Sequence, residues 1–324
     1  MDTHIAFALR LGPDPEERRM EDPEVISAAL RADPPAWLHL SANHPDTPAW
    51  VDAHLGHLDP SIRAALVEPE TRPRALRIGD GLLLFLRGIN FNQGSDPEDM
   101  ISLRLWLDPR CIVSLSRRPL RSVDALAERI GEGTGPERTG AFLADLIDEL
   151  TDRIEVQVND LDDRTEQLEA DVIAGPHADL GAEVADQRLE LTELRRYLPP
   201  QRDAVRDILR APMPWLTDAD RRKLGEQADQ LTRVTESLEA LREQLQTLRD
   251  ELERDRADRL NRNLYVLSVI SAVFLPLSFL TGLMGINLAG MPGASWSPAF
   301  WTFTGLLVLL GIGALGILRW MRIL

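Results

Sequence analysis

Between Asn263 and Leu318 the chain runs for 56 residues without a single charged side chain. Leu264–Met284 is a nearly unbroken apolar stretch of 21 residues, and Phe300–Leu318 is a second of 19. At about 1.5 Å of rise per residue, either stretch as a helix covers roughly the 30 Å hydrocarbon thickness of a bilayer. Gly285 to Pro298, rich in Gly and Pro, separates them. Two transmembrane helices joined by a short uncharged loop are therefore expected at residues 264–324.

The charges divide at the same place. All 52 acidic residues lie at or before Asp258, and only Arg259, Arg262, Arg319 and Arg322 are charged beyond it. Residues 1–258 thus carry 32 basic against 52 acidic side chains, a net of −20, within a chain of −16 overall. So acidic a surface repels phosphate backbones and excludes nucleic acid as a partner, while it favours cations. Arginines flank the outer ends of the two spans and the loop between them has no Lys or Arg, so both termini are expected in the cytoplasm of a multi-pass protein of the cell's inner membrane. Tyr265 and Trp320 then fall at the inner interface, and Trp296, Phe300 and Trp301 at the outer one. The first residues, Met1 to Leu11, show no secretory pattern. Cys111 is the single cysteine, flanked by an apolar strand-like run, and reads as a buried core thiol.

Two helices cannot enclose a conduit, so a path across the bilayer needs several copies of the chain, most simply arranged by cyclic symmetry. On the first span Ser268, Ser271, Ser278 and Thr281 fall within about 140° of arc at 100° per residue, with Asn261 below them close to the same face. This polar stripe either lines a pore or hydrogen-bonds between helices. Pro276 deletes one backbone hydrogen bond midway along the span.

Leu224, Leu231, Leu238, Leu245 and Leu252 recur every seven residues, with Val234, Leu241 and Leu248 at the second heptad position. Helix formers dominate from Asp218 and no proline occurs until Pro276. The spacing predicts one long stalk helix that runs into the first span, its seam packed on neighbours or on the preceding helices. Thr139–Val172 and Ala178–Leu198 read as helices, with Gln201–Leu209 resuming after a break at Pro199-Pro200. Earlier, His4–Leu9, Ala36–Leu40, Ala75–Ile78, Leu82–Arg87, Ile101–Leu107 and Ile112–Ser116 read as strands, and Pro23–Arg31, Pro48–Leu55 and Pro60–Leu66 as short helices. The fold class expected is an α+β cytoplasmic domain, an α/β/α-type sheet layer plus long helices, with a stalk helix and two C-terminal transmembrane helices. Its divisions are 1–135 (sheet domain), 136–216 (helical layer), 217–263 (stalk) and 264–324 (spans).

The first span ends in Thr281-Gly-Leu-Met-Gly-Ile-Asn-Leu-Ala-Gly-Met-Pro-Gly293. A Gly-x-Asn at the outer end of a penultimate span, a short loop and a last span resemble the signature of the CorA superfamily of divalent-cation transporters. Ile286 stands where the magnesium-channel branch has Met. Gly293 follows Met291-Pro292 where that branch has an acidic residue. These departures, with Thr71-Arg-Pro-Arg74, Leu86-Arg-Gly-Ile-Asn90 and Asp99-Met-Ile-Ser-Leu-Arg-Leu-Trp106, are similar to the zinc-transporting ZntB branch of that superfamily. The resemblance implies a homopentameric funnel that carries zinc, or related divalent ions, as transported substrate and holds no cofactor. It also implies that Asp250 and Asp258 ring the inner mouth.

The motif has its own chemistry. A bare dication in hydrocarbon is prohibitively expensive. Gly285 lets the backbone leave helical geometry, so that carbonyls of Gly285 and Ile286, with the Asn287 amide, can accept hydrogen bonds from a metal's hydration waters. Nothing between Asn263 and Leu318 titrates near neutral pH, so proton coupling would use cytoplasmic groups such as Asp250, Asp255 or Asp258, or protons moving through pore water. His54 and His57, three apart with His39 and His44 nearby, could share a zinc. No phosphate loop, nucleophile elbow or metallohydrolase pair is present, so the chain is not read as an enzyme. Two other readings stay open: a magnesium, cobalt or nickel channel of the same architecture, and a membrane-anchored sensor or scaffold.

Overall fold

The computed structural model describes residues 4–12, 18–69, 71–175, 180–286 and 296–320, leaving aside the side chains of residues 315 and 317. These fall into two compact units, Met1–Arg249 and Asp250–Leu324.

In the first unit, strands β1 (Ile5–Arg10), β2 (Ala36–Ser41), β3 (Arg74–Ile78), β4 (Gly81–Gly88), β5 (Ile101–Leu107) and β6 (Cys111–Ser116) form one sheet. Its order is β1-β2-β6-β5-β4-β3. Only β2 and β6 pair in parallel; the remaining pairs are antiparallel. Successive side chains on a strand point to opposite faces, and here both faces are buried in alternation. Leu82, Leu84 and Leu86 of β4 with Leu103 and Leu105 of β5 enter one core. Leu83, Phe85, Trp106, Val113 and Leu115 enter the other. Helices α1 (Pro23–Ala29), α2 (Thr47–His54) and α3 (Pro60–Val67) cover the second core. Helices α4 (Arg121–Glu132), α5 (Thr139–Ala174), α6 (Leu180–Arg210) and the start of α7 (Asp218–Met284) cover the first. The expected α/β/α layering is present. Because α5 to α7 share the core of the sheet, residues 1–135 and 136–216 do not have separate interiors.

Two expectations are corrected. Helix α4 was not foreseen, although Val123, Leu126 and Ile130 are buried at helical spacing and Gly133 caps its end at φ +81°. The break expected at Pro199-Pro200 does not occur; both prolines lie inside α6. They cost the carbonyls of Arg195 and Arg196 their helical donors. Burial of Leu194 and Leu198 before them and of Ala204, Val205 and Ile208 after them outweighs that local loss. Gln201, the residue immediately after the two prolines, accepts a hydrogen bond from the Arg87 N–H of β4 (2.7 Å), where β3 no longer supplies a partner.

Helix α7 runs unbroken for 67 residues, through Pro276. Leu224, Leu231, Leu238 and Leu245 of its heptad are fully buried, with Val234, Leu241 and Leu248 beside them. The seam packs on the preceding helices: Lys223 reaches Asp145 and Asp148 of α5, and Arg195 of α6 reaches Glu239. Burial ends at Leu248, since Leu252 is only half-buried. The start of α7 is clasped by Asp220, which accepts two hydrogen bonds from Arg138 (3.0 and 3.1 Å) and two from Thr217 (2.9 and 2.7 Å). Burial pushes the Asp220 carboxyl up, but these donors outweigh it and hold it below the usual carboxylate range.

Helix α8 (Ala299–Trp320) belongs to the second unit. Among the described residues, it and the last part of α7 are the two helices long and apolar enough to cross a membrane.

Candidate functional site

The second unit shows which face of α7 is occupied. Among residues 263–286 only Val269, Val273, Leu277 and Leu280 are partly shielded; the rest are exposed. These four lie on one side of the helix at 100° per residue. On α8 the shielded positions include Phe303, Leu307, Gly311, Ala314 and Leu318, again at helical spacing. A Cβ on Gly311 would lie 3.8 Å from the Leu277 Cδ1, so these two faces meet.

With Val273 as the centre of that contact, Ser268, Ser271 and Ser278 fall about 140–160° away around the helix and Thr281 about 80°. The three serines therefore look away from α8 while Thr281 flanks the contact, and all four residues are exposed. Three of the hydroxyls spend their proton on their own helix: Ser268 donates to Leu264 O (2.8 Å), Ser271 to Leu267 O (2.8 Å) and Thr281 to Ser278 O (2.9 Å). A hydroxyl so engaged has only lone pairs left to offer. The stripe is thus biased to accept hydrogen bonds, as the outward-pointing protons of an aquated cation require.

The helix ends at Met284, and the Gly285 N–H is shared between Thr281 O (3.0 Å) and Gly282 O (3.1 Å). Gly285 keeps out of the left-handed region, and an added Cβ would find its nearest atoms at an ordinary 3.4 Å. The freedom expected of this glycine is therefore not exercised at Gly285 itself. What the position does supply is the C-terminal pole of a long helix, equivalent to roughly half a negative charge, which favours cations. Ile286 is exposed beside it. Asn287 and the loop through Gly293 lie outside the described residues.

Toward the other end, Asp258 and Asn261 are exposed on α7 and Asp250 is half-buried. His54 and His57 do not face a common centre with other donors among the described residues. His54 stacks on Trp50 (4.5 Å between rings) and its Nδ1 bonds Trp50 O (3.1 Å). Burial, then Arg31, lowers the His57 pKa. His39 is fully buried between Ser114 and Ser116, and burial lowers its pKa to about 4. The three-donor grouping is instead His4, His44 and Asp46, whose ligand atoms lie within 4.8 Å of one another. The pairing of β1 with β2 brings His4 to that loop, through Ser41 N–H to His4 O (2.9 Å). Forty residues of separation hid it from any spacing argument. Cys111 is buried, which raises its thiol pKa well above the ordinary value.

The CorA-like Mg2+ transporter protein family matches residues 33–320. A zinc transport protein ZntB from Yersinia enterocolitica serotype O:8 / biotype 1B is 37% identical over 295 residues, 91% of this chain and 89% of the relative. The solved full-length CmaX protein superimposes with a TM-score of 0.83 at 34% identity, over 99% of each chain. The CorA magnesium transporter from Methanocaldococcus jannaschii gives a TM-score of 0.80 over 98% of each chain, and at 18% identity it speaks for the fold alone.

Proposed function

The chain belongs to the CorA-like Mg2+ transporter family, in its ZntB branch, and from that premise we propose that it moves divalent metal cations across a membrane, zinc in first place. One observation carries the reading: the hydroxyl stripe occupies the face of α7 that α8 leaves open. Several copies arranged about an axis, five by analogy with the family, bring those faces together. The stripe then becomes rings of acceptor oxygens, closed at one end by the α7 C-termini with Gly285, Ile286 and Asn287. A dication passing there keeps its waters, whose O–H groups donate hydrogen bonds to the oxygens of Ser268, Ser271, Ser278, Thr281 and the Asn287 amide. Each such bond contributes roughly 1 kcal/mol net, and the converging helix poles add charge stabilisation without a fixed carboxylate.

The acidic soluble part, −20 over residues 1–258, raises the local cation concentration on its side, with Asp250, Asp258 and Asn261 nearest the first span. The arginine bias supports a cytoplasmic position for that side and for both termini, and we assign the spans to the inner membrane of the cell. Magnesium is the second reading, favoured by a donor set made only of oxygen. Ile286 and Gly293, in place of the Met and the acidic residue of the magnesium branch, favour zinc.

The test is uptake into proteoliposomes with zinc or magnesium as sole dication. Zinc flux exceeding magnesium flux, and abolished in Asn287→Ala, is the expected result. Undiminished flux in Asn287→Ala overturns the assigned path; flux absent from the wild type overturns transport in favour of an anchored scaffold.

A further inference from the structure

In a chain of net charge −16, the soluble unit holds a cavity of about 630 Å³ lined by Arg72, Arg74, Arg87, Arg117, Arg118 and Arg196. Asp99 is the one carboxylate among its described lining residues. Besides Arg117, Arg118 and the Arg196-Tyr197 pair, three sequence segments supply its walls: Thr71 to Arg74, Arg87, and Asp99 to Ser102. Those three belong to the segments that carried the family resemblance, and conduction through α7 gives none of them a role. We propose that this cavity binds a multivalent oxyanion of the phosphate class.

The arginines are positioned before any ligand arrives. Arg87 donates to Met100 O (2.9 Å) and Thr71 O (2.8 Å), and its guanidinium stands 4.4 Å over the Tyr197 ring. Its Nε is out of solvent with no partner. Arg196 lies 5.3 Å from the same ring. Behind the wall, Arg104 is fully buried; it donates to Glu68 O (2.7 Å) and Pro69 O (3.2 Å), while its Nε and Nη1 have no partner. Arg118 is tied to Asp99 (2.9 Å) and Arg74 to Glu68 (3.2 Å). Arg72 and Arg117 are exposed and meet no carboxylate among the described residues.

This crowding works against the fold. Burial, and then Arg117 and Arg196, depress the Arg87 pKa; burial, and then Arg117 and Arg87, bring Arg104 to about 10. Like charges held this close in an otherwise acidic protein call for an anion to offset them, and they exclude a metal ion. Guanidinium forks match tetrahedral oxyanions in pairs of parallel hydrogen bonds, which a monatomic anion cannot provide. Two guanidiniums already lie against Tyr197, so the cavity offers charge and oxygen geometry to whatever carries the phosphate groups.

The test uses the full chain purified in detergent, metal-free, at physiological KCl. Calorimetric titration with inorganic pyrophosphate should show saturable binding and a matching rise in Tm. The double variant Arg72→Ala/Arg117→Ala should bind at least about tenfold more weakly, as loss of charge-assisted hydrogen bonds implies, while Arg77→Ala, which does not line the cavity, should bind like wild type. A second arm with ATP separates sources: equal affinity points to free phosphate chains, tighter binding to a nucleotide, and either supports the site. Absence of saturable pyrophosphate binding to wild type, or equal affinity in the double variant, overturns it. So does a change of assembled mass by light scattering in the double variant when wild type binds no pyrophosphate; the arginines would then face another copy of the chain.

Discussion

Replacing Ser271 and Ser278 together by Ala probes the conduction face without threatening the fold. Both hydroxyls are exposed and neither sits on the side of α7 that meets α8. Ala is the better helix former by a few tenths of a kcal/mol, so the double variant should assemble as well as wild type. Ser271 donates its proton to Leu267 O at 2.8 Å, so its removal deprives the axis of an acceptor and not of a donor. An acceptor given to a hydration water is worth about 1 kcal/mol net, or about fivefold in rate if it acts only at the barrier. Removing one acceptor from each of two rings therefore slows passage about 25-fold. If five copies engaged the ion at once in one ring, the bound would be about 5 kcal/mol, or a few thousandfold. Zinc uptake by proteoliposomes loaded with a zinc-sensitive dye should therefore fall by about 25-fold or more. Leu309→Ala, on the exposed side of α8, should leave it within about twofold. Wild-type uptake by the double variant, with its assembly intact, would refute the acceptor argument.

Four further outcomes follow from the soluble unit. Phe142, fully buried and edge-on to Trp37 at 4.7 Å, should cost about 3–5 kcal/mol as Phe142→Ala, read as a fall in Tm of about 10 °C. Gly140→Ala places a Cβ 2.5 Å from Asp220 Oδ2 and 2.9 Å from Trp215 O; about 1–3 kcal/mol should be lost in denaturant unfolding. The His39 pKa is lowered from 6.5 to about 4 in the fold, so its stabilising contribution is complete above 6.5 and is lost as pH falls toward 4; His39→Gln should flatten the Tm-against-pH curve across that window. Asp220 is depressed too, so its contribution is present above the ordinary carboxylate pKa and disappears only as pH falls below it. Asp220→Asn should lower Tm at neutral pH and leave the most acidic part of the curve unchanged.

The spans, the stalk and the sheet were legible because each rests on a periodic signal strong enough to survive without tertiary information. The uncharged runs, the leucines every seven residues from Leu224 and the strand alternation around Leu82–Leu86 are of that kind. The continuity of α6 through Pro199-Pro200 was not legible, because local propensity argues for a break and only burial of residues on both sides overrules it. Helix α4 carried its signal in three apolar residues, too few to stand out from the strands before it. The site divides the same way. The hydroxyl stripe could be read from spacing, but its orientation away from α8 required the packing of Leu277 against Gly311. The grouping of His4 with His44 and Asp46, and the arginine cavity, join segments far apart in the chain, and no spacing rule reaches them.

The central claim is that an aqueous path for metal runs along the open face of α7. Cys111 is buried, so a cysteine placed at Ser278 is the thiol that a charged methanethiosulfonate reagent can reach. In proteoliposomes carrying Ser278→Cys, the reagent should label the protein, zinc should slow the labelling, and modification should stop zinc flux. A Ser278→Cys protein that transports zinc and either resists the reagent or transports unchanged after labelling would contradict the account.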